Sequence, residues 1–263
     1  MKKLPSIALI HGWATEPAIW ESVRRQLDSQ GYKVTVYEMP GYGSRVGENG
    51  NVTFDQIVTD SIKSLQDCEL WIGWSLGSMI ALEAASRKQT QCKAVLAVCP
   101  TAKFCCDAEK EAALIQLRDS VESDPEKAVR RFRRSLPSAK NRRPVVRELM
   151  DLHPARQSDS GDRHSQMVDD SHSDGEQGLK NTLLAGLELL STTDLRTELN
   201  KIDVPVRIVC GKEDTIIPSS SGREIHRLIA NSTYTTLPCG HLPFLECPQQ
   251  FMEQLFEFAE TIT

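Results

Sequence analysis

Short runs of apolar and β-branched residues recur along the chain at positions 7–10, 34–37, 70–74, 94–98, 206–210 and 234–237. Most are continuously apolar rather than alternating, the pattern of strands buried on both faces of a parallel sheet. Amphipathic segments separate them. Residues 18–30 set Trp20, Val23 and Leu27 on one side, and residues 54–65, 79–87 and 222–229 repeat the helical spacing. Residues 248–262 start with Pro248 in a first turn and bring Phe251, Leu255 and Phe258 into register. Strand, helix, strand is the repeating unit, so the spacing predicts an α/β fold with a mostly parallel sheet flanked by helices.

The rhythm breaks between residues 101 and 190. Helical candidates appear at 107–117 and 125–136, then residues 153–178 run through Ser, Asp, Gly, Gln and His with almost no aliphatic side chain. Such a composition cannot add much to a core, and it predicts a flexible polar segment. Leu179, Leu183, Leu184, Leu187 and Leu190 then restore a helical stripe that needs a covering surface. The expected organisation is a core of residues 1–100 and 191–263, with residues 101–190 inserted as a helical cap.

At 263 residues, 40% hydrophobic and 25% charged, the chain is sized and composed as one soluble catalytic domain with an insertion. The apolar run after Met1-Lys2-Lys3 ends at His11-Gly12-Trp13, too early for a signal peptide, and no run is long enough for a membrane span. The eight cysteines therefore read as cytoplasmic thiols, and their spacing matches no tetrahedral zinc site, so no metal is expected. A net charge of −5 weighs against nucleic acid as partner. Charge is also unevenly spread: residues 126–147 hold nine basic and one acidic side chain, residues 151–176 seven acidic and two basic.

The chemistry is concentrated where the third run meets Gly73-Trp74-Ser75-Leu76-Gly77. Gly-x-Ser-x-Gly between a strand and a helix is a nucleophile turn: small residues admit close backbone, and the serine stands at a helix N-terminus. Without that context the serine would be no more than a helix cap. A serine hydroxyl needs a base, and His241, in the glycine-containing loop after the last run, is the candidate. The base in turn needs a carboxylate. Glu213 and Asp214 both follow the fifth run; Asp214 is preferred because it lies deeper in the turn, before Ile216, Ile217 and Pro218. The order Ser75, Asp214, His241 is the one this architecture uses. The Leu76 amide after the nucleophile and the Trp13 amide after the first strand are the expected oxyanion donors. The side chains of Trp13, Trp74 and Leu76 are candidates for the acyl-binding wall.

These motifs together resemble the α/β-hydrolase superfamily. More narrowly, Leu9-Ile10-His11-Gly12-Trp13, Met39-Pro40-Gly41-Tyr42-Gly43, the Gly-Trp-Ser-Leu-Gly turn, Gly186-Leu187-Glu188-Leu189-Leu190 with Thr193-Asp194-Leu195-Arg196, and the Gly240-His241 loop resemble the family of pimeloyl-acyl-carrier-protein methyl ester esterases of biotin synthesis. The chain starts almost at the strand before the oxyanion loop, so the superfamily's opening antiparallel strands are not expected. The resemblance implies hydrolysis of a pimeloyl methyl ester on acyl carrier protein, releasing methanol and needing no cofactor. It also implies that cap arginines dock the acidic carrier. Arg130, Arg131, Arg133, Arg134, Arg142, Arg143 and Arg147 are the candidates, with 130, 133 and 134 able to share a helical face. The expected protein is a cytoplasmic monomer acting on a carrier-bound ester. The alternatives are a general short-chain carboxylesterase on the same scaffold, or a binding protein that kept the fold.

Overall fold

A computed structural model describes residues 3–48, 52–152 and 170–262. The strands β1 (Ile7–Ile10), β2 (Val34–Tyr37), β3 (Leu70–Trp74), β4 (Ala94–Val98), β5 (Val206–Gly211) and β6 (Ser232–Leu237) form one sheet in the order β2-β1-β3-β4-β5-β6. Every pairing between them is parallel. Successive side chains leave a strand on opposite faces. Accordingly Ile10, Trp71, Val95 and Ile208 join one hydrophobic cluster, while Leu9, Ile72, Leu96 and Val209 join the other.

Each face is covered by helices whose stripes match it. In chain order the helices are α1 (Glu21–Ser29), α2 (Phe54–Ser64), α3 (Leu76–Ser86), α4 (Ala108–Ser123), α5 (Pro125–Ser135), α6 (Arg142–Leu152), α7 (Asp170–Thr192), α8 (Ser219–Leu228), α9 (Pro243–Glu246) and α10 (Pro248–Glu260). Ile57 and Val58 of α2, Met79 and Ile80 of α3 and Ile225 of α8 cover the first cluster. Val23 and Leu27 of α1 and Phe251, Leu255 and Phe258 of α10 cover the second. A capping box fixes the start of α2, with Thr53 and Gln56 each accepting from the other's amide. Among the described residues, no helix is long and apolar enough to cross a membrane.

Helices α4 to α7 lie between β4 and β5. The two ends of this insertion meet: Lys103 and Asp194 form an isolated antiparallel bridge, and the Leu195 amide donates to Ala102 O at 2.8 Å. Two features differ from the sequence expectation. Helix α6 was not foreseen, because Val145 and Leu149 are its buried anchors and the basic residues around them mask the stripe. Helix α7 begins at Asp170, so the last part of the supposed polar loop is helical; residues 153–169 lie outside the described part. A polar composition lowers core burial but does not forbid helix, and Gln177 Nε2 donates to Asn181 Oδ1 one turn on at 2.7 Å.

Candidate active site

Ser75 sits between β3 and α3 with φ 54° and ψ −120°. Left-handed φ costs a side-chain-bearing residue on the order of 1–3 kcal/mol and persists only where surroundings impose it. Both glycines of the motif permit the close backbone packing that surrounds it here. A Cβ on Gly73 would overlap the Gly77 carbonyl, and one on Gly77 would overlap the carbonyls of Ile10 and His11. The Ser75 amide is held by Val98 O at 3.0 Å. Ala14 (φ 57°) and Cys99 (φ 46°) share the left-handed conformation and belong to the same region.

The turns that carry Asp214 and His241 are zipped together by backbone. Lys212 N donates to Leu237 O and Glu213 N to Cys239 O, both at 2.9 Å, and Gly211 lies against Gly240, where any Cβ would overlap it. This register brings Asp214 Oδ2 within 2.6 Å of His241 Nδ1. Asp214 Oδ1 accepts from the amides of Ile216 and Ile217 at 2.8 and 2.9 Å, so both carboxylate oxygens are engaged and the side chain has no rotational freedom. With a carboxylate on Nδ1, that nitrogen is the donor and Nε2 is left as the basic atom. His241 Nε2 is buried and has no hydrogen-bond partner. The arrangement can accept a proton from a neighbouring hydroxyl. Glu213, by contrast, is exposed.

The His11-Gly12-Trp13 loop packs directly on the serine turn: a Cβ at Gly12 would lie 3.2 Å from Ser75 Cβ and 2.9 Å from the Trp74 ring. Its shape is fixed by Thr15 Oγ1 donating to Gly12 O at 2.9 Å and by Tyr42 Oη accepting from the Ala14 amide at 3.3 Å. His11 is fully buried, with Nδ1 3.0 Å from Gly12 O, and burial lowers its pKa to about 4. Among the described residues, neither the Trp13 nor the Leu76 amide has a protein acceptor.

The side chains proposed for the acyl wall separate. The Leu76 side chain lines a narrow, mostly apolar crevice against α7, together with Met39, Tyr42, Ile57, Ala185 and Leu189. Trp13 reaches between α5 and α7: its Nε1 donates to Leu183 O at 3.0 Å, its ring meets Phe132 edge-on at 4.7 Å, and a Cβ on Gly186 would overlap its ring. Trp74 turns the other way, into the opposite layer, where Nε1 donates to His241 O at 2.7 Å and the ring packs on Phe244. Its placement is that of a support under the His241 loop.

The arginines also divide. Arg131, Arg134, Arg142, Arg143 and Arg147 are exposed, and Arg130 is ion-paired with Glu126 at 3.0 Å. Arg133 lies on the same side of α5 as Arg130 and Arg134, but it is half-buried and turns in against the loop after β1. Its Nε donates to Ala14 O at 2.9 Å, and burial lowers its pKa to about 10. Sequence spacing gave no sign of this, because a helical wheel knows nothing of the loop that α5 lies against. Cys99, just past β4, has its Sγ within 4.8 Å of the ligating atoms of Asp214 and His241. Burial pushes this thiol well above its usual range, so it is a neutral packing group.

A family model described as alpha/beta hydrolase fold matches residues 5–248. The chain is 26% identical to the pimeloyl-[acyl-carrier protein] methyl ester esterase of Aliivibrio salmonicida, over 97% of this chain and 92% of that protein. It is also 26% identical to the enzyme of the same name from Nitrosomonas europaea, over 94% and 93% respectively. Among solved structures, an esterase from Exiguobacterium antarcticum superposes with a TM-score of 0.79 at 19% identity, covering 99% of this chain and 93% of that one. An enol-lactonase from Burkholderia xenovorans superposes equally well, with a TM-score of 0.79 at 19% identity and coverage of 98% and 92%. These two structures speak to the fold.

Proposed function

The chain belongs to the α/β-hydrolase fold family, and from that premise we propose that it is a serine carboxylesterase acting on the methyl ester of a pimeloyl chain carried by acyl carrier protein. The observation that carries the catalytic part is the 2.6 Å contact of Asp214 with His241 Nδ1, which leaves Nε2 buried and unpartnered on a ring whose centroid lies 5.3 Å from that of Trp74, the residue before Ser75. In this reading Nε2 takes the Ser75 proton as Oγ attacks the ester carbonyl, and Asp214 stabilises the resulting imidazolium. The unengaged amides of Trp13 and Leu76 receive the charge on the tetrahedral oxygen. His241 then protonates the departing alkoxide and later activates water against the acyl-Ser75 intermediate. No step calls for a cofactor.

Three features support the finer substrate assignment. Relatives bearing that name align over nearly the whole chain. The crevice beside Leu76 is lined mostly by apolar side chains, with Glu48 and Thr182 at its wall, and at about 20 Å³ it must widen to admit a methylene chain. The exposed Arg131, Arg134, Arg142, Arg143 and Arg147 offer α5 and α6 to an acidic carrier. Helices α4 to α7 act in this reading as a cap that roofs the acyl crevice.

The deciding experiment compares hydrolysis of a pimeloyl methyl ester on acyl carrier protein with that of the same ester free of the carrier, using wild type and Ser75→Ala. Carrier-dependent turnover abolished by the substitution is the expected result. Equal turnover of both esters would replace the substrate assignment with a general short-chain carboxylesterase, and full activity of Ser75→Ala would remove the mechanism.

A further inference from the structure

Glu246 closes α9, five positions after the histidine, and its carboxylate is met from two sides. Oε1 accepts from the Gly240 amide at 3.0 Å and the Leu242 amide at 3.4 Å. Oε2 accepts from the Ser138 amide at 2.9 Å and Asn141 Nδ2 at 3.4 Å. The amide between the two loop donors, that of His241 itself, donates to Leu136 O at 2.9 Å. The approach is tight: a Cβ on Gly240 would lie 2.5 Å from Ser138 N and 2.7 Å from Leu136 O. Three consecutive amides of the base loop are thus fixed by one carboxylate and by the segment that joins α5 to α6.

We infer that Glu246 is a positioning residue for the base, holding the His241 ring to Asp214 by tying the loop on either side of it to the root of the cap. The inference rests on the proposed role of His241. A carboxylate is the group this geometry asks for, since it has acceptor sites on both oxygens and no donor. A glutamine of the same shape would turn an NH₂ toward two N–H donors on one side or the other, and the pair it faced would be left unsatisfied. The amide isostere therefore repels where the acid binds. The carboxylate also satisfies main-chain donors in a loop that would otherwise carry them half-buried.

The test uses the full-length enzyme and the variants Glu246→Gln, Glu246→Ala and Asn141→Ala. Loosening a base by about 1 Å is expected to lower kcat on the order of 10²-fold. Glu246→Gln and Glu246→Ala should both lose kcat with little change in KM. The far-downfield proton NMR signal of the short His241–Asp214 hydrogen bond should broaden or vanish in both. Asn141→Ala removes only the longest contact on the cap side and should keep both kcat and the signal. Wild-type kcat and an intact signal in Glu246→Gln would overturn the inference, even if Glu246→Ala fails to fold. The NMR readout does not need turnover, so the inference can fail or stand separately from the proposed reaction: loss of the reaction with a Glu246-dependent signal would sink the function and leave the positioning role.

Discussion

Trp74 Nε1 donates to the main-chain oxygen of His241 across 167 residues of sequence, at 2.7 Å. The residue before Ser75 therefore supports the loop that carries His241, so the two halves of the candidate site cannot drift independently. Trp74→Phe should remove that donor, leave the His241 carbonyl unpaired and open a small void. A loss of about 2 kcal/mol is expected. Thermal unfolding checks the stability, and steady-state kinetics should show kcat falling more than KM rises.

The backbone strain at Ser75 makes a second prediction. Ser75→Gly and Ser75→Ala both lack the hydroxyl, but only glycine adopts φ 54° without steric cost. Denaturant unfolding should find Ser75→Gly more stable than Ser75→Ala by about 1 kcal/mol. Equal stability would mean the turn is not strained.

His11 gives the protein an acid-sensitive element. Its folded pKa of about 4 lies below the model-peptide value of 6.5, so between those values the unfolded chain binds a proton that the folded chain refuses. Stability therefore falls as pH drops through this window, by up to about 3 kcal/mol from this one group. His11→Asn, whose side chain does not titrate, should flatten the stability profile between pH 6.5 and 4 by that amount. Urea unfolding at several pH values measures it.

Arg133 and the exposed arginines should behave differently under salt. Arg133→Met loses the bond to Ala14 O, but it also relieves a buried charge, so stability should stay within about 1 kcal/mol while kcat falls through a looser Trp13 loop. Its effect should not depend on ionic strength. Replacing Arg131, Arg134, Arg142, Arg143 and Arg147 by serine should instead raise KM for a carrier-borne ester and weaken the salt dependence of kcat/KM. Kinetics at low and high salt separate the two.

The strands and the core helices were readable because each is decided locally. A continuous apolar run such as residues 94–98 has no stable place except between two covered faces, and β4 occupies that span. The Gly73 and Gly77 positions of the serine motif were legible for the same reason, since the backbone contacts that forbid a Cβ follow from the turn itself. What escaped the sequence depends on distant pairings. Nothing in the local spacing around Glu246 marks it out, and only the approach of residues 136–141 completes the set of four donors to its carboxylate. Trp74 beside the serine suggested a pocket wall, yet β3 alternation sends it to the layer opposite the crevice. Arg133 looked like its neighbours until Ala14 was seen beneath it.

The Lys103 and Asp194 bridge means that a long excursion leaves and rejoins the sheet at a single doorway. Whatever lies beyond that doorway can be lengthened, shortened or exchanged without altering the spacing of β4 and β5. The inserted helices and the sheet are thereby joined in only a few places, among them those where Trp13, Arg133 and Glu246 reach across.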